Sequence, residues 1–143
     1  MGRTLLGLDY GTKRIGVAVA TALGTVHARP RIHRTTPEAD LHAIESLARE
    51  VEAHAIVVGL PHHMDGRTSP MEIEARKFAA VVAVACGLPV FGVDERLSSE
   101  AADSVLRAQE LPPRERKARR DSAAACLLLQ DYLDAGEQGE RLA

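Results

Sequence analysis

Hydrophobic residues near the start of the chain occur in short runs that predict strands. Residues 4–10 (TLLGLDY) are apolar on both faces and predict a buried strand that ends at an acid. A polar turn, 11–14, separates this run from 15–20 (IGVAVA), so the pair predicts a hairpin. A third strand is predicted at 25–34, where Pro30 indicates an edge position because proline donates no ladder hydrogen bond.

The remainder of the chain alternates apolar stripes of helical spacing with continuous apolar runs. The predicted elements are a helix from Thr36 (cap) and Pro37 to about Val51, a strand at 55–60, a helix from about Ser69 to Cys86 capped by Gly87, a strand at 89–93, and helices near Ser99–Gln109 and Arg119–Asp134. Hairpin strands followed by β-α-β crossovers predict an α/β fold. We therefore expect a mixed five-stranded sheet, three strands antiparallel and then two parallel, with helices on both faces. Residues 1–143 should form one domain, with 136–143 as a frayed tail.

Composition restricts the class of protein. The chain has 143 residues, 45% hydrophobic and 27% charged, which is typical of a globular domain and excludes a disordered chain. Its net charge of −2 excludes a polycation that coats nucleic acid through bulk charge. Two isolated cysteines, Cys86 and Cys126, exclude a disulfide framework and a thiolate zinc cluster. With no secretory signal and no apolar run of the roughly 20 residues that a bilayer span needs, we expect a soluble cytoplasmic protein without membrane partners.

Acidic residues end two predicted strands, and a third acid begins the last helix. Asp9 follows LLGL and the pair Asp94-Glu95 follows VFGV, so these carboxylates should lie where open α/β sheets bind ligands. Asp121 heads the apolar stripe of the last helix, which directs it toward the sheet. A turn cap, or a favourable position in the helix dipole, would explain any one of these acids. Three together favour a functional site.

Carboxylates that converge in one cleft repel each other unless a cation compensates their charge. Because carboxylates are hard oxygen donors, we expect Mg²⁺ or Mn²⁺ rather than zinc. The six histidines are scattered or, at His62-His63, adjacent, and they show no ligand spacing.

Basic residues adjoin each acid. They are Lys13 and Arg14 after Asp9, Arg96 after Glu95, and Arg116, Lys117 and Arg119 within the basic run 114–120 before Asp121. A charge run is usually a solvated helix face, but this one holds five of the 18 Lys and Arg residues. Metal-binding acids bordered by phosphate-binding bases suit phosphodiester hydrolysis.

Aromatic residues are few. The Phe, Tyr and Trp residues of the chain are Tyr10, Phe78, Phe91 and Tyr132. All four fall in segments predicted to be core, so we expect recognition of backbone and shape rather than base stacking.

Four segments together resemble the signature blocks of the YqgF/RuvX-like family. They are GLDYGTKRIGVA at 7–18, VVGLP followed by MDG within 57–66, DERLSS at 94–99 and KARRDSAAACLLLQDYL at 117–133. These blocks span almost the whole chain, and their combination is more specific than any one of them. The resemblance implies a ribonuclease H-like fold similar to RuvC-type Holliday junction resolvases.

The resemblance also implies roles for individual residues. It implies three metal-binding acids, Asp9, Glu95 and Asp121. It thereby selects Glu95 over Asp94, a choice that spacing alone leaves open. Lys13 and Arg96 match basic positions that would contact phosphate. His62-His63 departs from the aliphatic and amide residues usual in the family, which puts substrate preference in doubt.

The leading hypothesis is a metal-dependent nuclease that acts on structured nucleic acid. The resemblance implies processing of the 5′ end of pre-16S ribosomal RNA, with cleavage of branched DNA by a Holliday junction resolvase as the alternative. In a two-ion scheme, Asp9 would bridge the ions while Glu95 and Asp121 each complete one coordination sphere. A resolvase would also need a two-fold homodimer in order to cut two strands symmetrically.

Two hypotheses come from other classes. Phosphotransferases of the actin and sugar-kinase type open with a similar strand, acid and glycine turn, but they need a second lobe that 143 residues do not provide. The turn at 11–14 also lacks the spacing of a Walker A motif. A non-catalytic nucleic-acid-binding module would have no need for all three acids.

Overall fold

A computed structural model describes residues 3–61, 69–95, 120–136 and 140–143. Several predicted features lie outside these residues: the helix near Ser99–Gln109, the pair His62-His63, and the cations Arg96, Arg116, Lys117 and Arg119.

The described residues form strands and helices in the predicted order. The strands are β1 (Leu5–Tyr10), β2 (Arg14–Ala20), β3 (Val26–His33), β4 (Ala55–Pro61), β5 (Val90–Glu95) and β6 (Glu140–Arg141). The helices are α1 (Pro37–Glu50), α2 (Pro70–Cys86) and α3 (Arg120–Asp134). β4 and β5 extend past their predicted ends, so that the acids after VFGV belong to the strand.

The sheet has the order β3-β2-β1-β4-β5-β6. β1 pairs antiparallel with β2 and parallel with β4, and β4 pairs parallel with β5. The predicted mixed α/β sheet is confirmed, and Pro30 lies in the edge strand β3 as expected.

The predicted strand count of five is too low. β6 adds a sixth strand, antiparallel to β5, with Phe91 opposite Arg141. The predicted frayed tail is therefore wrong for residues 140–143. The Leu142 amide donates to the Val90 carbonyl oxygen at 2.8 Å, and Arg76 donates two hydrogen bonds to the Glu140 carboxylate at 2.8 and 3.0 Å. A two-residue strand is too short to leave an alternating pattern in the sequence.

The caps predicted at Thr36 and Gly87 are confirmed, and Ser69, predicted only as the approximate start of α2, is also an N-cap. The Thr36 hydroxyl accepts from the Ala39 amide at 3.2 Å, and the Ser69 hydroxyl accepts from the Glu72 amide at 3.0 Å. Gly87 ends α2 in the left-handed region with φ of 66°.

Helices cover both faces of the sheet and enclose two apolar layers. One layer, under α3, includes Leu5, Val57 and Leu129. The other, under α1 and α2, includes Leu8 and Val58. Neighbouring residues of each strand therefore belong to opposite layers, as expected for strands buried on both faces.

Two glycines allow α3 to pack closely on the sheet. A Cβ atom at Gly7 would lie 2.6 Å from Leu129 Cγ, and one at Gly59 would lie 2.6 Å from Leu128 Cδ1. Glycine at both positions lets the helix leucines occupy the space over β1 and β4. None of the helices in the described residues combines the length and apolar character needed to span a bilayer.

Candidate nuclease site

Two of the predicted acids lie at the carboxyl ends of parallel strands. β1 and β5 both run parallel to β4, so they end at the same edge of the sheet. Leu8 pairs with Val58, which pairs with Gly92, so Asp9 lies one residue beyond this row and Glu95 lies three beyond it. The two strands are separated by two strand spacings, about 10 Å.

Strand alternation assigns these two positions to one face of the sheet. Gly7 faces α3, so Asp9, two residues later, occupies a position on the α3 face. Phe91 and Val93 pack against the core under α3, and Glu95 continues their register. Val90 belongs to the opposite core, which assigns Asp94 to the other face.

The third acid lies in the first turn of α3, next to Ser122. The Ser122 hydroxyl is fully buried and accepts a hydrogen bond from the Val17 amide at 3.1 Å. Val17 pairs with Leu8, the residue directly before Asp9. The first turn of α3 therefore lies beside the Leu8–Val17 pair. The backbone positions of all three predicted acids therefore lie at one end of the sheet, while the side chains of Glu95 and Asp121 are outside the described part.

The Val17 amide is available to Ser122 because the sheet is irregular there. The β2–β3 register shifts between Ile15 and Val17, opposite the segment of β3 that contains Pro30. Such a shift interrupts the ladder of backbone hydrogen bonds and leaves donors for other partners.

Asp9 lines a cavity of about 230 Å³ together with the turn between β1 and β2. Asp9 is half-buried, whereas Lys13 and Arg14, which also line the cavity, are exposed. The structure thus brings a carboxylate and two predicted phosphate-binding cations to one open cavity.

Arg34 holds this turn in place, and sequence reasoning missed its role. Its guanidinium donates to the Gly11 carbonyl oxygen at 2.9 Å, and its backbone amide donates to the Lys13 carbonyl oxygen at 2.9 Å. The buried carboxylate of Asp40 lies 3.4 Å from Arg34 Nε and accepts from the Thr35 amide at 3.0 Å. No short motif links Arg34 to the turn, because the contact joins two segments that the fold brings together.

The available donors fit a hard divalent cation better than a soft one. Among the described side chains, no group of three His, Cys, Asp or Glu residues is arranged to hold a metal, and two of the three predicted ligands lie outside that set. Cys126 is buried in the core under α3, and burial raises the pKa of the Cys86 thiol in α2. Oxygen donors such as the Asp9 carboxylate suit Mg²⁺ or Mn²⁺.

The fold is that of the RuvC-type resolvases. A Thermus thermophilus RuvC structure, solved in complex with a Holliday junction substrate, superposes with a TM-score of 0.60 at 15% sequence identity, covering 97% of this chain and 99% of that chain. The fowlpox virus Holliday junction resolvase gives a TM-score of 0.60 at 12% identity, with 92% and 98% covered.

The sequence defines the family more narrowly. The family model of RuvX, described as Holliday junction resolvase, matches residues 3–135. The chain belongs to this family.

Curated relatives carry a different provisional name, that of a pre-16S rRNA nuclease. One from Anaeromyxobacter sp. is 46% identical over 130 residues, which cover 90% of this chain and 95% of that protein. One from Picosynechococcus sp. is 44% identical over 130 residues, covering 90% of each chain.

Proposed function

We propose that this protein is a divalent-metal-dependent nuclease that hydrolyses phosphodiester bonds, with Asp9, Glu95 and Asp121 as the residues that hold the metal. The observation that carries the proposal is the strand register: Asp9 and Glu95 belong to the ends of β1 and β5, the two strands that flank β4, and α3 begins beside the end of β1. Family membership and the names of the relatives support nuclease chemistry.

Each part of the site then has a physical role. Divalent cations, when bound, neutralise the charge of the scissile phosphate and lower the pKa of an attacking water. Lys13 and Arg14 bind the flanking phosphates, which positions the scissile bond beside Asp9. Arg34 and Asp40 hold the turn in its conformation, so the two cations need less ordering when substrate binds.

The substrate that we propose is the 5′ end of precursor 16S ribosomal RNA. The provisional names of relatives that are 44 and 46% identical support this choice. Branched DNA is the second candidate, because the family is described as a Holliday junction resolvase and the RuvC structure holds such a junction. Resolution of a junction would further require a homodimer that presents two sites.

A cleavage panel separates the two substrates. Purified protein with Mn²⁺ is incubated with a pre-16S rRNA fragment, a four-way DNA junction, linear duplex DNA and single strands of each. We expect cleavage of the precursor near the mature 5′ end, with the junction left intact. Symmetrical nicks in the junction, with an intact precursor, would instead establish the resolvase.

A further inference from the structure

A second cavity opens next to the same strand end, on the opposite side of β1. Its volume is about 160 Å³, and Tyr10 and Phe78 contribute aromatic rings to its wall. Asp9 and Tyr10 are consecutive in β1, so their side chains occupy opposite faces of the sheet. The two cavities therefore flank the carboxyl end of one strand.

Three flat side-chain groups meet at this second cavity. The Tyr10 and Phe78 ring centroids are 4.7 Å apart with their planes inclined by 38°, and the Arg34 guanidinium carbon lies 4.8 Å from the Tyr10 centroid. Both aromatic residues are half-buried. The sequence assigns both residues to core segments; Phe78 does pack against the core under α1 and α2, but both rings are only partly buried, because the cavity opens beside them.

The β1–β2 turn connects the two cavities. Arg34 contacts the Tyr10 ring and also donates to the Gly11 carbonyl oxygen, so one side chain joins the second cavity to the turn. Lys13 and Arg14 of the turn line the Asp9 cavity. On the rim of the second cavity, the exposed side chain of Lys77 lies 4.0 Å from the Glu74 carboxylate, so the rim carries one charge of each sign. A nucleic-acid strand that crosses the turn therefore meets cations at its phosphates and an aromatic cavity beside them.

We propose that this second cavity, the base pocket, holds one unpaired nucleobase of the substrate; this inference rests on the proposed nuclease function. A volume of about 160 Å³ is below the roughly 300 Å³ of pockets for drug-sized ligands, so it suits a single ring system. Aromatic rings and a guanidinium plane are the groups on which bases stack. The pocket thus favours substrates with an unpaired nucleotide close to the cleaved bond.

The test measures binding of a fluorescein-labelled single-stranded RNA by anisotropy in Ca²⁺ buffer. A series of otherwise identical RNAs carries one abasic nucleotide at each successive position. Removing the base that enters the pocket should raise Kd by about 5- to 100-fold, whereas abasic sites elsewhere have little effect. A uniform response along the RNA would overturn the proposal.

Two variants identify the pocket as the cause. Phe78→Leu keeps apolar volume but removes a ring, and Val81→Phe fills the rim, where Val81 is 48% exposed, without removing core contacts. Each variant should raise the Kd of the intact RNA by about 5- to 100-fold. On the RNA that lacks the base that enters the pocket, the variants should not raise Kd any further. Val84→Ala, on the same helix at a residue that is 86% exposed, is the matched control and should leave Kd unchanged.

Cleavage of the same RNAs in Mn²⁺ separates this inference from the nuclease proposal. Cleavage that continues while neither variant changes Kd rejects the base pocket and leaves the nuclease function intact. Absence of both binding and cleavage rejects the two together. Equal weakening of duplex and single-stranded binding by Phe78→Leu would also reject a pocket for an unpaired base.

Discussion

Asp9 offers the most direct test of a single residue, because its carboxylate lines the candidate site. Asp9→Asn retains the size of the side chain and removes its charge. We expect cleavage to fall by more than about 100-fold, beyond the loss typical of residues that only support a metal ligand. The melting temperature without metal should stay equal or rise, since clustered carboxylates repel.

The matched control for this change is Asp134→Asn, at the exposed end of α3. It makes the same chemical exchange far from the strand ends and should leave cleavage near the wild-type rate. Near-normal activity of Asp9→Asn would remove Asp9 from the site.

Ser122 gives a residue-scale test of how α3 is fixed to the sheet. Ser122→Ala leaves the Val17 amide without the hydroxyl that it now donates to. We expect the free energy of unfolding to fall by about 1–3 kcal/mol, measured by urea denaturation. Ser46→Ala on the exposed face of α1 should change it by less than about 0.5 kcal/mol. An equally small effect at both serines would contradict this role of Ser122.

At the scale of elements, the close approach of α3 to β1 is testable at Gly7. A methyl group there would lie 2.6 Å from Leu129 Cγ and 3.2 Å from the Ala125 carbonyl oxygen. Gly7→Ala should therefore lower the free energy of unfolding by about 1–3 kcal/mol. Most of this cost should disappear in a Leu129→Ala background, because the principal clash is gone. Strictly additive effects would show that the helix shifts instead.

The β1–β2 turn should control the salt dependence of binding. Replacing Lys13 and Arg14 with glutamine removes two cations from the turn. If each contacts one phosphate, the slope of log binding constant against log salt should fall by roughly 0.9 per contact on duplex DNA. Arg49→Gln, at an exposed cation in the last turn of α1, provides a control outside both cavities and should leave the slope unchanged. An unchanged slope in the double variant would show that Lys13 and Arg14 contact solvent rather than phosphate.

Most of the described helices and strands were predictable from the sequence, since apolar runs and helix caps are local signals. Thr36 and Gly87 cap their helices as predicted, and Pro30 marks the edge strand. β6 was not predictable, because its two residues are fixed by pairing with β5 rather than by their own pattern.

The site was predictable only in part. Acids at strand ends are visible in the sequence because the ends of parallel strands share an edge. The contacts of Arg34 with the β1–β2 turn join segments that only the folded chain brings together. The basic run before Asp121 remains a prediction, since it lies outside the described residues.

For the whole molecule, the central claim is metal-dependent cleavage at one end of the sheet. The deciding measurement is cleavage of the pre-16S rRNA fragment by protein treated with EDTA, verified metal-free by elemental analysis, and then titrated with Mn²⁺, Mg²⁺ or Ca²⁺. We predict no cleavage without metal, the strongest cleavage with Mn²⁺, less with Mg²⁺ and little with Ca²⁺. Glu95→Gln and Asp121→Asn should abolish the response to every ion. Full-rate cleavage by the metal-free protein, or a normal Mn²⁺ response in both variants, would contradict the account.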